Sequence, residues 1–170
     1  MSDRFKIIDD LSQDTQSGKY LIFNIGNDYY GIGIKHVTEI IGLMHTTPVP
    51  DLPNYIKGII NLRGKIIPVV DVRLRFGLKT IEYSDRACII IANLYNMDIG
   101  FIVDGVKEVQ SIPDADIIPP PEINKLSNRF INGIGKVGEE LRLLLDYRNL
   151  IGIDDVETVA DTVCKDQLDQ

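Results

Sequence analysis

Apolar positions along the chain come in short, punctuated runs. From residue 19 to 24 they alternate loosely. Gly26-Asn27-Asp28 then supplies turn chemistry, and Tyr30, Ile32 and Ile34 alternate with Gly31 and Gly33. That is the pattern of a β-hairpin. Val37, Ile40 and Ile41 fall at helical spacing, which predicts a short helix over residues 36–41 ended by Gly42. Residues 48–53 hold three prolines, too many for a helix or a central strand, and read as a loop. Further strands are predicted over residues 58–62, 65–71, 87–92, 99–103, 106–112, 131–137 and 141–146. Pro119-Pro120-Pro121 reads as a stiff connector. Beyond it, Val156, Val159 and Val163 predict an amphipathic helix capped by Asp154 or Asp155. Residues 1–17 are polar and read as a mobile lead-in, 18–153 as the folded domain and 154–170 as an acidic helical tail.

The pattern repeats. Ile56-Lys57-Gly58-Ile59 and Ile131-Asn132-Gly133-Ile134 lie 75 residues apart, and Asp71, Arg73 and Gly77 recur at the same offset as Asp146, Arg148 and Gly152. Earlier in each half, Gly31, Val37 and Glu39 answer Gly100, Val106 and Glu108 at an offset of 69. A repeat this long is not a solenoid. It suggests a mainly β protein of two small, similar barrels packed together with a groove between them, since closure removes exposed strand edges. Composition agrees: 27 isoleucines and 12 valines, with no tryptophan, favour pleated sheet over helix.

Charge and cysteine content narrow the function. A net charge of −7 and a pI near 4.8 argue against general nucleic-acid binding. Two cysteines make no disulfide framework, and no apolar run is long enough to span a bilayer. The lack of a secretory apolar core near the start predicts a cytoplasmic protein. His36 and His45 form no metal-binding pair, so no metal and no cofactor is expected. Cys88 reads as a buried small hydrophobe, and the glycines of 26–33 as turn residues rather than a phosphate cradle. Asp71 and Asp146, at equivalent places after strands, read as caps. The alternative is a small β-barrel enzyme with a carboxylate site between the barrels, built from Asp71, Asp146 or Asp104. Otherwise no catalytic residue is assigned. One stretch departs from the acidic mean: residues 57–79 carry six cations and one acid. It is either a solvated basic face or a docking surface for an acidic partner. Within it Asn61-Leu62-Arg63-Gly64 predicts a turn with Arg63 at its apex.

The block from Pro53 through Ile56-Lys57-Gly58-Ile59-Ile60-Asn61-Leu62-Arg63-Gly64 to Asp71-Val72-Arg73 and Gly77 closely resembles the CheW-like family of bacterial chemotaxis coupling proteins. Tyr30-Gly31-Ile32, Val37-Thr38-Glu39-Ile40, Gly100 to Val106 and Phe130 to Gly135 add to the resemblance, which covers residues 18–152. No receiver-domain or kinase-core pattern accompanies it, so it points to the free-standing adaptor.

The resemblance implies two five-stranded SH3-like barrels sharing a hydrophobic core. It also implies a noncatalytic adaptor that couples transmembrane chemoreceptors to the histidine kinase CheA. The expected partners are the kinase regulatory domain and the receptor's cytoplasmic hairpin tip. Nucleic acid and direct membrane insertion are not expected, and recruitment to receptor arrays is. Carried over residue by residue, Val37 and Glu39 fall on the partner-binding surface, and Gly58, Asn61, Arg63 and Gly64 on the receptor-facing turn. Val103 and Val106 would line the groove between barrels, and Ile40 and Ile41 would anchor the kinase-facing end. The second half has Lys136-Val137-Gly138 where the first has the Arg63 turn, so only the first half can supply that arginine.

Overall fold

A computed structural model describes residues 18–94, 96–120 and 129–152, together with Asp155. The expected lead-in, the third proline of the connector and nearly all of the tail helix lie outside these residues. The chain runs β1 (Lys19–Ile25), β2 (Asp28–Gly33), a 3-10 turn (Ile34–His36), β3 (Val37–Gly42), β4 (Ile56–Leu62), β5 (Lys65–Asp71) and α1 (Val72–Arg75). It continues through β6 (Cys88–Leu94), β7 (Met97–Val103), β8 (Gly105–Ser111), a 3-10 turn (Asp114–Asp116), β9 (Ile117–Ile118), β10 (Ile131–Val137), β11 (Glu140–Leu145) and α2 (Tyr147–Leu150). The protein is mainly β, in two sheets ordered β8-β1-β2-β11-β10-β9 and β3-β6-β7-β5-β4. No ladder closes either sheet among the described residues.

The internal repeat is visible in the pairing. β5 runs parallel to β7 with Val69 opposite Gly100, and β11 runs parallel to β2 with Leu144 opposite Gly31. These pairs correspond at the two sequence offsets. Each also has a bulge in the strand before: between Ile56 and Gly58, and between Ile131 and Gly133. The halves nevertheless do not fold one per sheet. β1 and β2 of the first half join β8, β10 and β11 of the second; β6 and β7 of the second join β3, β4 and β5 of the first. The exchange makes the two halves one folding unit.

The core explains the unbroken apolar run of β6. Cys88, Ile90 and Ala92 face a cluster that also takes Leu21, Phe23 and Ile32 from the other sheet, so this core is shared by both sheets. Ile89 and Ile91 face a second cluster with Ile60, Ile67, Val69 and Ile102. Successive side chains of a strand point to opposite faces, so a strand buried on both sides is apolar throughout.

The helix expected over residues 36–41 is a strand. β3 pairs with β6, and its register shifts between Val37 and Glu39. That bulge puts Val37 and Ile40, three residues apart, against the same core cluster. A bulged strand therefore imitates helical spacing. The residues themselves, Val-Thr-Glu-Ile-Ile, are β-branched in four places of five and suit the strand better.

Burial shapes the alkaline response. Tyr147 is buried in the shared core, and its phenol is pushed up to about 12 by that burial. A phenol raised above its unfolded value of 10.0 supports the fold fully below pH 10. That contribution is lost as pH rises toward 12. Urea midpoints measured from pH 8 upward are expected to fall over about this window. In Tyr147→Phe the fall should be shallower.

Candidate protein-docking site

Glu39 sits just past the β3 bulge, on an edge strand of the five-stranded sheet. Arg63 sits on the two-residue turn between β4 and β5, at φ 53, followed by Gly64 at φ 83. Two successive positive φ values make the tight turn whose twist matches a hairpin. Asn61 secures it, its side-chain oxygen accepting a hydrogen bond from Gly64 N at 2.9 Å. Arg63 is thereby held outward, and its Nη1 and Nη2 donate to the two oxygens of Glu39 at 3.1 and 3.0 Å. Its side chain remains 73% exposed. Hydrogen bonding to Glu39 raises the already high guanidinium pKa, so the fork stays charged.

β3 and β4 are the two ends of their sheet order. A side-chain pair between β3 and the β4–β5 turn therefore requires the sheet to curl until its ends meet. Beside the pair, Lys65 bonds to Asp98, which also accepts from Asn93 Nδ2 at 2.9 Å. Burial alone would raise the Asp98 carboxyl, but these two hydrogen bonds outweigh it and hold it low. A shallow depression of about 290 Å³ opens here, lined by Thr38, Glu39, Leu62, Arg63, Lys65 and Ile91 among others.

The structure thus brings Glu39, Asn61, Arg63 and Gly64 together on one exposed patch. Ile40 and Ile41 lie along the same strand, half-buried against opposite clusters. Val37 and Val103 are core residues, 6% and 1% exposed, and Val106 packs against the shared core from β8. Gly58 is buried at the β4 bulge against the Thr47 carbonyl. The charge excess of residues 57–79 is largely matched within the chain. Lys57 pairs with Asp71, Arg63 with Glu39, Lys65 with Asp98 and Arg73 with Asp104. Arg75 lies over the Tyr55 and Phe130 rings at 4.2 and 5.1 Å. Three of these pairings are not legible in the segment alone, because Glu39, Asp98 and Asp104 lie outside it.

The three candidate carboxylates are engaged structurally. Asp71 is fully buried and caps α1, accepting from Leu74 N at 3.3 Å and from the Tyr83 hydroxyl. Asp146 caps α2 through Arg148 N at 3.0 Å. Asp104 accepts from Gly26 N at 2.7 Å and lies 3.4 Å from Arg73 Nε. Asp71→Ala would remove the cap and leave the Tyr83 hydroxyl and Lys57 without their acid. The expected loss is about 2–4 kcal/mol by urea denaturation. Asp71→Asn, which keeps a capping oxygen, should lose less. Among the described residues no group of three His, Cys, Asp or Glu side chains is placed to hold a metal. No helix of the described residues is long and apolar enough to cross a membrane.

Two sheets with a shared core, one of them curled and displaying a charged turn on its exposed edge, make a two-sheet β module. The family model for the CheW-like domain matches residues 19–154. The chemotaxis protein CheW of Klebsiella aerogenes is 35% identical over 156 residues, 91% of this chain and 93% of that one. The chemotaxis protein CheW of Rhizobium meliloti is 37% identical over 122 residues, 71% of this chain and 79% of its own. The crystal structure of the scaffolding protein TtCheW from Thermoanaerobacter tengcongensis superposes with a TM-score of 0.75 at 35% identity, covering 81% of this chain and 94% of that one. The chain belongs to the CheW family, whose members are chemotaxis scaffold and coupling proteins.

Proposed function

We propose that this protein is a noncatalytic adaptor that couples transmembrane chemoreceptors to the histidine kinase CheA. It binds the kinase regulatory domain and the cytoplasmic tip of the receptor hairpin, and works in the cytoplasm at receptor arrays. The observation that carries this reading is the Glu39–Arg63 patch. Residues that the family resemblance assigns to partner binding, 24 positions apart in sequence, converge on one exposed and rigidly held surface. Such a bridge acts through a coupling free energy: receptor state biases the kinase only as far as the adaptor's two contacts differ between signalling states. Glu39, Ile40, Ile41, Asn61, Arg63 and Gly64 meet partners directly. Val37, Gly58, Val103 and Val106 act on those surfaces through the packing beneath them.

The test uses the purified full chain with a CheA regulatory-domain fragment and a soluble receptor hairpin fragment, each immobilised in turn. The expected result is saturable binding to both and a ternary complex when the chain is added to the pair. Failure to retain either fragment would remove the proposal.

A further inference from the structure

The exchanged halves build two equivalent places beside the capping aspartates, and among the described residues only one of them is filled. In the first half the occupant is Tyr83. Its hydroxyl donates to Asp71, its ring lies 5.9 Å from Lys57 Nζ, and it packs on the cluster that includes Val69, Ile89 and Ile102. Shifted by the repeat offsets, these residues and Arg73 become Asp146, Asn132, Leu144, Tyr20, Gly33 and Arg148. Those six line a pocket of about 340 Å³. A cavity of about 150 Å³ is enough to hold a benzene ring. Glycine at position 33, where the twin has Ile102, enlarges the space, since a Cβ there would meet nothing within 4 Å. Asp146 uses Oδ1 to cap α2, and among the described residues its Oδ2 accepts no hydrogen bond, whereas the matching oxygen of Asp71 receives the Tyr83 hydroxyl.

We propose that the pocket between Tyr20, Leu144 and Asp146 is a docking site for a tyrosine side chain presented by a partner protein, its hydroxyl donating to Asp146 Oδ2 as Tyr83 does to Asp71. Among the described residues no tyrosine takes the place that Tyr83 has in the twin. Tyr95, the one tyrosine outside them, follows β6 at its turn to β7 in the five-stranded sheet, whereas the pocket is built on the six-stranded one, so the phenol comes from another chain. Residues 1–17, 121–128 and 153–170 contain no tyrosine. Tyr29, the exposed tyrosine a second copy would offer, is flanked at home by Lys107 and Arg142, each 4.8 Å from its ring. A hydrogen bond to a carboxylate is among the stronger ones, and a tyrosine seated in a pocket is a common anchor of protein interfaces. The inference does not rest on which partners the adaptor joins, because the pocket is probed without them.

The experiment is an NMR titration of the ¹⁵N-labelled full chain with N-acetyl-L-tyrosinamide, and in parallel with N-acetyl-L-phenylalaninamide. The tyrosine probe is expected to shift the amides of Asp146, Tyr147 and Arg148 saturably, with at least tenfold weaker binding of the phenylalanine probe. Asp146→Asn keeps an oxygen for the cap but replaces the open acceptor by a donor, so it should abolish the tyrosine preference with the rest of the spectrum preserved. Tyr83→Ala should create a second site, read at Asp71, Val72 and Arg73. No saturable shift at 146–148 in the unaltered chain, or a preference unchanged by Asp146→Asn, would overturn the proposal.

Discussion

Gly58→Ala is expected to leave the protein without a stable native state. Gly58 has φ 147, a conformation rarely open to residues with a side chain. An added Cβ would sit well inside contact distance of the Thr47 carbonyl oxygen, 2.7 Å from its carbon and 2.9 Å from Pro48 Cα. These are backbone atoms, held by reciprocal hydrogen bonds between Thr47 and Ile59 at 2.8 and 2.9 Å, so they cannot swing aside. The conformation alone costs about 1–3 kcal/mol. Separating the two segments adds the lost bridge. Together these approach the whole stability of a domain, about 5–15 kcal/mol. Far-ultraviolet circular dichroism and urea unfolding would read the loss. The repeat supplies a control: Gly133 stands at the matching bulge without a positive φ. A Cβ there meets Ile117 Cγ2 at 2.8 Å, a side-chain atom that can move. Gly133→Ala should cost only about 1–3 kcal/mol. An unperturbed Gly58→Ala protein would mean that the bulge is not held as described.

Arg63→Glu is expected to have the opposite profile, an unchanged melting temperature with receptor-dependent kinase activation reduced at least tenfold. The side chain stands on a solvent-facing turn, and its loss uncovers no buried group. Its replacement puts two carboxylates where a fork joined Glu39. In a reconstituted assay with receptor fragments and kinase, normal activation by this variant would remove Arg63 from the docking surface. The exchange Glu39→Arg with Arg63→Glu separates two roles. Recovered activation would mean that the pair serves to hold β3 to the turn. Continued loss would mean that the guanidinium itself meets a partner.

Much of the local structure is legible in the chain. Turn residues at Gly26-Asn27 and Arg63-Gly64, and apolar runs such as 88–92, placed nine of the eleven strands within about two residues of their ends, while the two-residue β9 gave no sign in the sequence. The error at β3 has a definite cause, a bulge that shifts the phase of alternation so that Val37 and Ile40 share a face. The caps at Asp71 and Asp146 were readable because capping is a local act between a side chain and the next turn. The docking patch was readable only in pieces. Its members could be named from the family resemblance, but Glu39 and Arg63 carry no local sign of facing one another. Val37 and Val103, named beside them, lie in the core, because an apolar residue next to a motif looks the same in sequence whichever face it takes.

Strand identity, turn chemistry, the duplicated pattern and membership of a known family follow from the order of residues, since each depends on neighbours a few positions apart or on similarity along the chain. Three things were decided by the tertiary arrangement: the exchange of strands between halves, the meeting of Glu39 with Arg63, and, among the described residues, the contrast between a filled and an open pocket beside the twin aspartates. Each is set by which strands lie side by side, and that choice rests on how two buried faces pack together rather than on any single segment's own preference.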